Sequence, residues 1–334
     1  MTPLVNVLIT GGAGYVGHVL TPRLLAAGYL VTVYDTLYFG CRLPNDPKLH
    51  VIQGDIRDTE KLAAAMRGQD AVLHLACISN DASFELDENL SKTINFDCFE
   101  PMVAAAKEAG VRRFVYCSSS SVYGVSDSPD VTEDHPLVPL TLYNKFKGLC
   151  EPELWKHKSN DFTSVIIRPA TICGYSPRTR LDLSVNILTN HAVNKGSITV
   201  FGGNQMRPNL HVEDMVDAYQ VMLDAPHEKI HGEIFNIGFQ NYSIAEIANV
   251  VKKVVQEELP EKGDIDIVTT PTNDMRSYHV NSDKVRRVLG FAPKRSIEDA
   301  VRDLTRAFRN HLLPNSFDDD AYYNVRTMKK IGAR

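Results

Sequence analysis

The chain has 334 residues, 43% apolar and 23% charged, values of a globular protein that exclude disorder and collagen-like repeats. Thirty-six Lys and Arg against 41 Asp and Glu leave a net charge of −5, which argues against a global cationic face for nucleic acid; an anionic small substrate would need a local arginine cluster. No apolar run approaches the ~18–20 residues of a membrane span. The first residues carry no basic n-region of a secretory signal, and the six cysteines, at 41, 77, 98, 117, 150 and 173, are scattered without a C-x-x-C pair. The expectation is a cytoplasmic chain with free thiols and no metal site.

Residues 5–10 read as a buried strand and 16–27 as a helix closed by Gly28. Strands follow at 30–34 and 50–53, a helix at 60–67 and a fourth strand at 71–76. Residues 102–109 lie in a helix closed by Gly110; 113–118 form a fifth strand, 143–155 a helix and 164–168 a sixth strand. This alternation predicts an α/β fold over residues 1–175, a doubly wound parallel sheet of Rossmann type with helices on both faces. After about residue 175 the rhythm breaks. A helix at 185–194, a strand at 198–201 and an amphipathic helix at 244–258 predict a smaller, partly interleaved substrate domain over 176–312. A strand at 234–237 is expected to return to the main sheet. Residues 313–334, with Asp318-Asp319-Asp320, Tyr322-Tyr323 and Lys329-Lys330, are expected to form a solvated tail; an oligomer or active-site arm is the alternative.

The first strand runs into Thr10-Gly11-Gly12-Ala13-Gly14-Tyr15-Val16-Gly17, a G-x-x-G-x-x-G between a strand and a helix. The first glycine permits the turn, the second lets a pyrophosphate approach the backbone, and the third lets helix and sheet pack closely. The helix N-terminus then offers free N–H groups and a positive dipole end to phosphates. Asp35 ends the second strand 18 residues beyond Gly17. A carboxylate there hydrogen-bonds an adenosine ribose and repels a 2′-phosphate, so NAD rather than NADP is expected. Asp55, in Gly54-Asp55-Ile56, reads either as an acceptor for the adenine amine or as a helix N-cap.

The fifth strand ends in Ser118-Ser119-Ser120-Ser121-Val122-Tyr123-Gly124, and the carboxyl ends of parallel strands are where such sheets bind ligands. Tyr143 and Lys147 are four apart on the next helix and share a face. A phenol with an ordinary pKa near 10 is a poor base at pH 7, but a nearby ammonium and an oxidised nicotinamide both favour the phenolate. Tyr143 would then remove a hydroxyl proton while hydride leaves the same carbon, and a serine hydroxyl would hold the substrate oxygen.

This order of glycine loop, ribose acid, serine-rich strand end, tyrosine and lysine resembles the extended short-chain dehydrogenase/reductase family, specifically its nucleotide-sugar epimerase and dehydratase group. The resemblance spans about residues 4–310 and is also carried by His74-Leu75-Ala76, residues 207–214, Phe235-Asn236-Ile237-Gly238 and the Arg276 region. It implies a catalytic set of Ser119, Tyr143 and Lys147. It implies an NAD site of Gly11, Gly14, Tyr15, Val16, Asp35, Asp55, Ile56, Leu75, Ala76, Tyr143, Lys147 and Arg168. A nucleotide-diphosphate sugar would be held by Ser119, Ser120, Asn80, Thr171, Asn186, Arg207 and Arg276.

Arg207 and Arg276 match family arginines that contact the substrate diphosphate, and guanidinium forks suit that dianion. Asn186 reads either as a phosphate contact or as a helix N-cap, and Arg178 and Arg180 stay undecided. Family dehydratases carry an Asp-Glu pair, and decarboxylases a Glu, where this chain has Ser120 and Ser121; the small neutral residues resemble the 4-epimerase arrangement. The expectation is an NAD-dependent epimerase that inverts C4 through a transient 4-keto sugar. A 4-keto-reductase or dehydrogenase is the alternative, and a non-catalytic dinucleotide-binding regulator the third reading. Thr171 stands where the family often has Asn, and Ser79-Asn80-Asp81 is more polar than in UDP-galactose 4-epimerases, which leaves the sugar open. The family also implies a homodimer through the helices flanking the fifth strand, where Ala104-Ala105-Ala106 would allow close packing.

Overall fold

The computed structural model describes residues 3–126, 128, 130–272 and 277–332. Its strands are β1 (Asn6–Thr10), β2 (Leu30–Asp35), β3 (Leu49–Gln53), β4 (Ala71–His74), β5 (Arg113–Cys117), β6 (Thr163–Pro169), β7 (Thr171–Cys173), β8 (Ser197–Phe201), β9 (Met206–His211), β10 (Glu233–Ile237), β11 (Gln240–Ser243) and β12 (Asp266–Thr270). Seven of them form one sheet in the order β10-β6-β5-β4-β1-β2-β3, and every pairing in it is parallel.

The inner strands are continuous apolar runs because both sheet faces are covered. Successive side chains point to opposite faces. Val7, Ile9, Val31, Val33, Leu73 and Val115 therefore pack with Leu20 and Leu24 of helix Gly17–Ala26 and with Met215 and Tyr219 of helix Val212–Asp224. Leu8, Tyr34, Val72, Phe114 and Tyr116 point the other way, onto Leu62 and Met66 of helix Thr59–Met66 and Phe99 and Met102 of helix Phe99–Glu108.

β10 lies in register beside β6, Phe235 opposite Ile167, as the expected return of the chain to the main sheet. A separate core joins helices Ser184–Lys195, Ile244–Glu258 and Ile297–Arg309 through residues such as Leu188, Val251, Val254, Val301 and Leu304. Two small sheets flank it, β11-β9-β7 and β12-β8. The amphipathic helix opens at Ser243 with a capping box: its hydroxyl accepts from Glu246 N, and the Glu246 carboxylate accepts from Ser243 N.

The expected solvated tail is corrected. Leu313, Tyr322 and Tyr323 are buried in the second core, and Met328, on helix Asn324–Ile331, packs with Ile78 and Phe84. The acidic and basic residues dominate the tail's composition, but its tyrosines and methionine lie on the inner side and fix it to the body.

Candidate functional site

Strand order reverses at β1, whose neighbours β2 and β4 lead to opposite halves of the sheet, and ligands bind at such switch points. Gly11 (φ +75°) turns the chain there, and a Cβ on it would lie 2.7 Å from the Ala76 backbone just beyond β4. A Cβ on Gly17 would run into the Gly12 carbonyl, so the third glycine is required by the approach of helix to loop. A cavity of about 730 Å³ opens from this point. Gly11, Gly14, Tyr15, Val16, Asp35, Asp55, Ile56, Leu75 and Ala76 line it, as do Ser119, Ser120, Tyr143, Lys147, Asn80, Thr171 and Arg207.

At one end, Asp35 accepts from Ala13 N at 3.0 Å and Leu37 N at 2.8 Å, which fixes the carboxylate between the glycine loop and the turn after β2. Burial raises its pKa, against the pull of those two N–H groups. Asp55 takes the Arg57 guanidinium on both oxygens, at 3.1, 3.1 and 2.7 Å. Burial pushes its carboxyl up, but the Arg57 bonds outweigh burial and hold it below its ordinary value. The helix N-cap alternative for Asp55 is corrected, because Asp58 caps helix Thr59–Met66 by accepting from Lys61 N.

At the other end, helix Leu142–Trp155 starts where Thr141 accepts from Asn144 N and donates to Asp81. Its first two turns aim Tyr143 and Lys147 at the end of β5, where Lys147 Nζ donates to the Cys117 carbonyl at 2.7 Å. Burial raises the Tyr143 phenol; the Lys147 ammonium pulls it down without reversing the shift. Lys147 alone therefore does not make the phenolate the resting form, which narrows the expectation from sequence. Burial also acts on Lys147, but neighbouring Cys77 and Tyr143 raise its pKa and it stays a cation.

Ser119 opens the short turn Ser120–Tyr123, and its Oγ lies 2.6 Å from Ser121 Oγ. Ser121 donates its one proton to Asn144 Oδ1 at 2.5 Å, so Ser119 donates to Ser121. Ser121 and Asn144 line the cavity and were not singled out in sequence, where each reads as an ordinary polar residue inside a motif.

Two expected ligands lie elsewhere. Arg168 does not line the cavity: its guanidinium bonds Glu151 at 2.9 and 2.6 Å, Tyr123 Oη at 2.8 Å and the Glu133 carbonyl at 3.0 Å. This buried ion pair ties β6 to helix Leu142–Trp155, so the assignment of Arg168 to the cofactor is corrected. Asn186 is fully buried; its Oδ1 accepts from Gly174 N while its Nδ2 donates to Tyr15 Oη and the Arg180 carbonyl. Both readings of Asn186 are corrected, since no group faces the cavity and Leu183 holds the N-cap position. Arg276 lies outside the described residues.

Asn80 sits in the left-handed region (φ +88°), caps the turn Asp81–Phe84 through Ser83 N, and donates to Asp182 at 3.3 Å. Arg178, Arg180, Asp182, Asn324 and Met328 complete this wall. Arg180 grips Asp182 and also donates to Ser79 Oγ. Asn324 and Met328 were not singled out in sequence; their place on the wall fits the alternative reading of the tail, an active-site arm.

The residues fit a dinucleotide: a glycine turn that admits no side chain, a fixed carboxylate at the ribose position, and a Tyr–Lys pair across one cavity. The profile of the NAD dependent epimerase/dehydratase family matches residues 7–238, and the chain belongs to that family. It is 29% identical over 341 residues to the UDP-glucose 4-epimerase of Lactobacillus helveticus, covering 94% of this chain and 99% of the relative. Among solved structures it is similar to MoeE5 in complex with UDP-glucuronic acid and NAD, with a TM-score of 0.79, 25% identity, and coverage of 92% of this chain and 99% of that one. It also matches the epimerase Mth375 of Methanothermobacter thermautotrophicus, with a TM-score of 0.82, 26% identity, and coverage of 92% and 93%. No helix among the described residues is long and apolar enough to cross a membrane.

Proposed function

We propose that the protein is an NAD-dependent nucleotide-sugar 4-epimerase. The observation that carries this reading is the meeting of Ser119, Tyr143 and Lys147 in the cavity that starts at the glycine loop, with neutral Ser120 and Ser121 where elimination or decarboxylation would need an acid. NAD supplies the acceptor and donor of hydride. Tyr143 Oη takes the C4 hydroxyl proton as the carbinol is oxidised and returns it as the ketone is reduced. Lys147, fixed by the Cys117 carbonyl, provides the positive charge that favours the phenolate. Ser119 turns its hydroxyl from Ser121 to the sugar oxygen, and Arg207 faces the diphosphate.

The assay is interconversion of C4 epimers across UDP-, dTDP-, GDP- and CDP-sugars without net redox change. Stoichiometric NADH consumption on a 4-keto sugar would replace this reading with the reductase, and retained NAD without turnover on any sugar would replace it with the regulator.

We further propose a homodimer through helices Phe99–Glu108 and Leu142–Trp155, supported by the 38% exposure of Leu149 on the second. All six cysteines are free thiols, which supports a cytoplasmic location. In this reading the lobe of helices Ser184–Lys195, Ile244–Glu258 and Ile297–Arg309 carries the sugar nucleotide and the seven-stranded sheet carries the dinucleotide.

A further inference from the structure

Arg178 is 5% exposed, lines the cavity, and has an Nε without a partner. Its Nη2 donates to a neutral acceptor, Asn324 Oδ1, at 2.5 Å, and its guanidinium lies 3.8 Å from the Phe39 ring centroid. The nearby carboxylates are committed elsewhere: Asp182 to Arg180 on both oxygens, Asp35 to two backbone N–H groups. Burial, reinforced by the neighbouring Arg180 charge, lowers the Arg178 pKa to about 9, which still leaves a cation at neutral pH. A buried cation without an anionic partner is costly, and the missing partner is an anion in the cavity.

Its position says which anion. The segment carrying Arg178 is fastened to the glycine loop, by Tyr15 Oη donating to the Gly174 carbonyl at 2.5 Å and Ser176 Oγ donating to the Tyr15 carbonyl at 2.8 Å. Arg178 neighbours Asp35 and Tyr15 at the glycine loop, whereas Arg180 donates to Ser79 Oγ and neighbours Tyr143 and Cys77. The two arginines thus divide the cavity between the phosphate end and the reacting end.

We propose that Arg178 pairs with the pyrophosphate of the dinucleotide and that Asn324, from the C-terminal helix, holds it in position. The proposal rests on NAD being the cofactor. Asn324 is itself oriented, since its Nδ2 donates to Ser79 Oγ at 3.0 Å and its backbone N to Asp182 at 3.2 Å, which leaves Oδ1 for Arg178. Cofactor retention then depends on a residue near the end of the chain.

The test is equilibrium titration of the full chain, Arg178→Ala, Arg178→Lys and Asn324→Ala with NAD, adenosine and UDP. Arg178→Ala is expected to weaken NAD on the order of 100-fold, the range for truncating one partner of a buried charge pair. Adenosine, which lacks the diphosphate, keeps its affinity. Arg178→Lys recovers part of the loss, and Asn324→Ala falls between parent and Arg178→Ala. Unchanged NAD affinity in Arg178→Ala overturns the proposal. So does loss of UDP binding with NAD intact, which would assign the guanidinium to the sugar nucleotide. If Arg178→Ala loses its cooperative melt, undiminished NAD affinity in both Arg178→Lys and Asn324→Ala is the overturning result. A parent chain that binds no NAD overturns the cofactor reading itself.

Discussion

Arg168→Met separates a structural arginine from a cofactor ligand. The side chains of Arg168 and Glu151 are each 4% exposed. The substitution deletes two charge-assisted bonds to Glu151, at 2.9 and 2.6 Å, and the bonds to Tyr123 Oη and the Glu133 carbonyl. Glu151 keeps the Ser118 hydroxyl at 2.7 Å, too little to compensate a buried carboxylate. Breaking a buried pair on one side costs about 3–5 kcal/mol, against a total stability of about 5–15 kcal/mol. At roughly 2.1 cal/mol/K of unfolding entropy per residue, 334 residues give about 0.7 kcal/mol per degree, so the melting temperature drops by roughly 4–7 °C. Adding Glu151→Gln recovers much of this, because the stranded charge is then gone. The assay pairs thermal and urea melts with NAD titration at a temperature where the variant is folded. Full stability with weakened NAD binding would return Arg168 to the cofactor site and refute the argument.

Tyr143→Phe removes the group placed to move the proton; turnover falls by about 10²–10⁴-fold while the chain still melts cooperatively, read by epimer ratio and thermal scan. Lys147→Met removes the charge that pulls the phenol down, so the rise of activity with pH moves to higher pH; an unshifted limb in the pH–rate profile contradicts the coupling. Ser121→Ala frees the Ser119 proton from its internal acceptor, so turnover is maintained or raised; a drop approaching the ~10-fold worth of one hydrogen bond contradicts the donor order. Asp70 accepts from Val5 N and Asn6 N and pairs with Arg112, which holds its carboxyl down at about 2 against the upward push of burial. A depressed folded-state pKa contributes stability above the unfolded value near 3.9 and loses it as pH falls toward 2. The urea-midpoint gap between parent and Asp70→Asn is therefore full at pH 7 and closes across that window.

The parallel sheet was legible because its inner strands are apolar runs that alternate with helical segments, and the helix at 244–258 because its apolar positions recur at helical spacing. The glycine loop, Asp35, Tyr143 and Lys147 were legible because their roles need fixed residue types at fixed spacing. Arg168 and Asn186 were misplaced for one reason: a polar side chain at a motif position reads identically whether it faces the cavity or the packed interior. Glu151, 17 residues before Arg168, decides the first case, and Tyr15, 171 residues before Asn186, the second. The C-terminal helix escaped because its few inward residues are separated by charge, and the Asn324 contacts to Ser79 and Arg178 span 245 and 146 residues.

The charge distribution ties these findings together. A chain with a net charge of −5 still places Lys147, Arg178, Arg180 and Arg207 on the wall of one cavity. Outside, charges of either sign are screened by water within about 8 Å at physiological salt. Inside a cleft walled by low-dielectric protein charges act at greater strength, and because Asp35, Asp55, Asp81 and Asp182 line the same wall, what matters is which cation each carboxylate is bonded to. Asp182 neutralises Arg180, whereas Arg178 beside the glycine loop has no carboxylate bonded to it. Under the proposed roles, the cation without a bonded carboxylate is the one beside the glycine loop, and the compensated one is beside Tyr143.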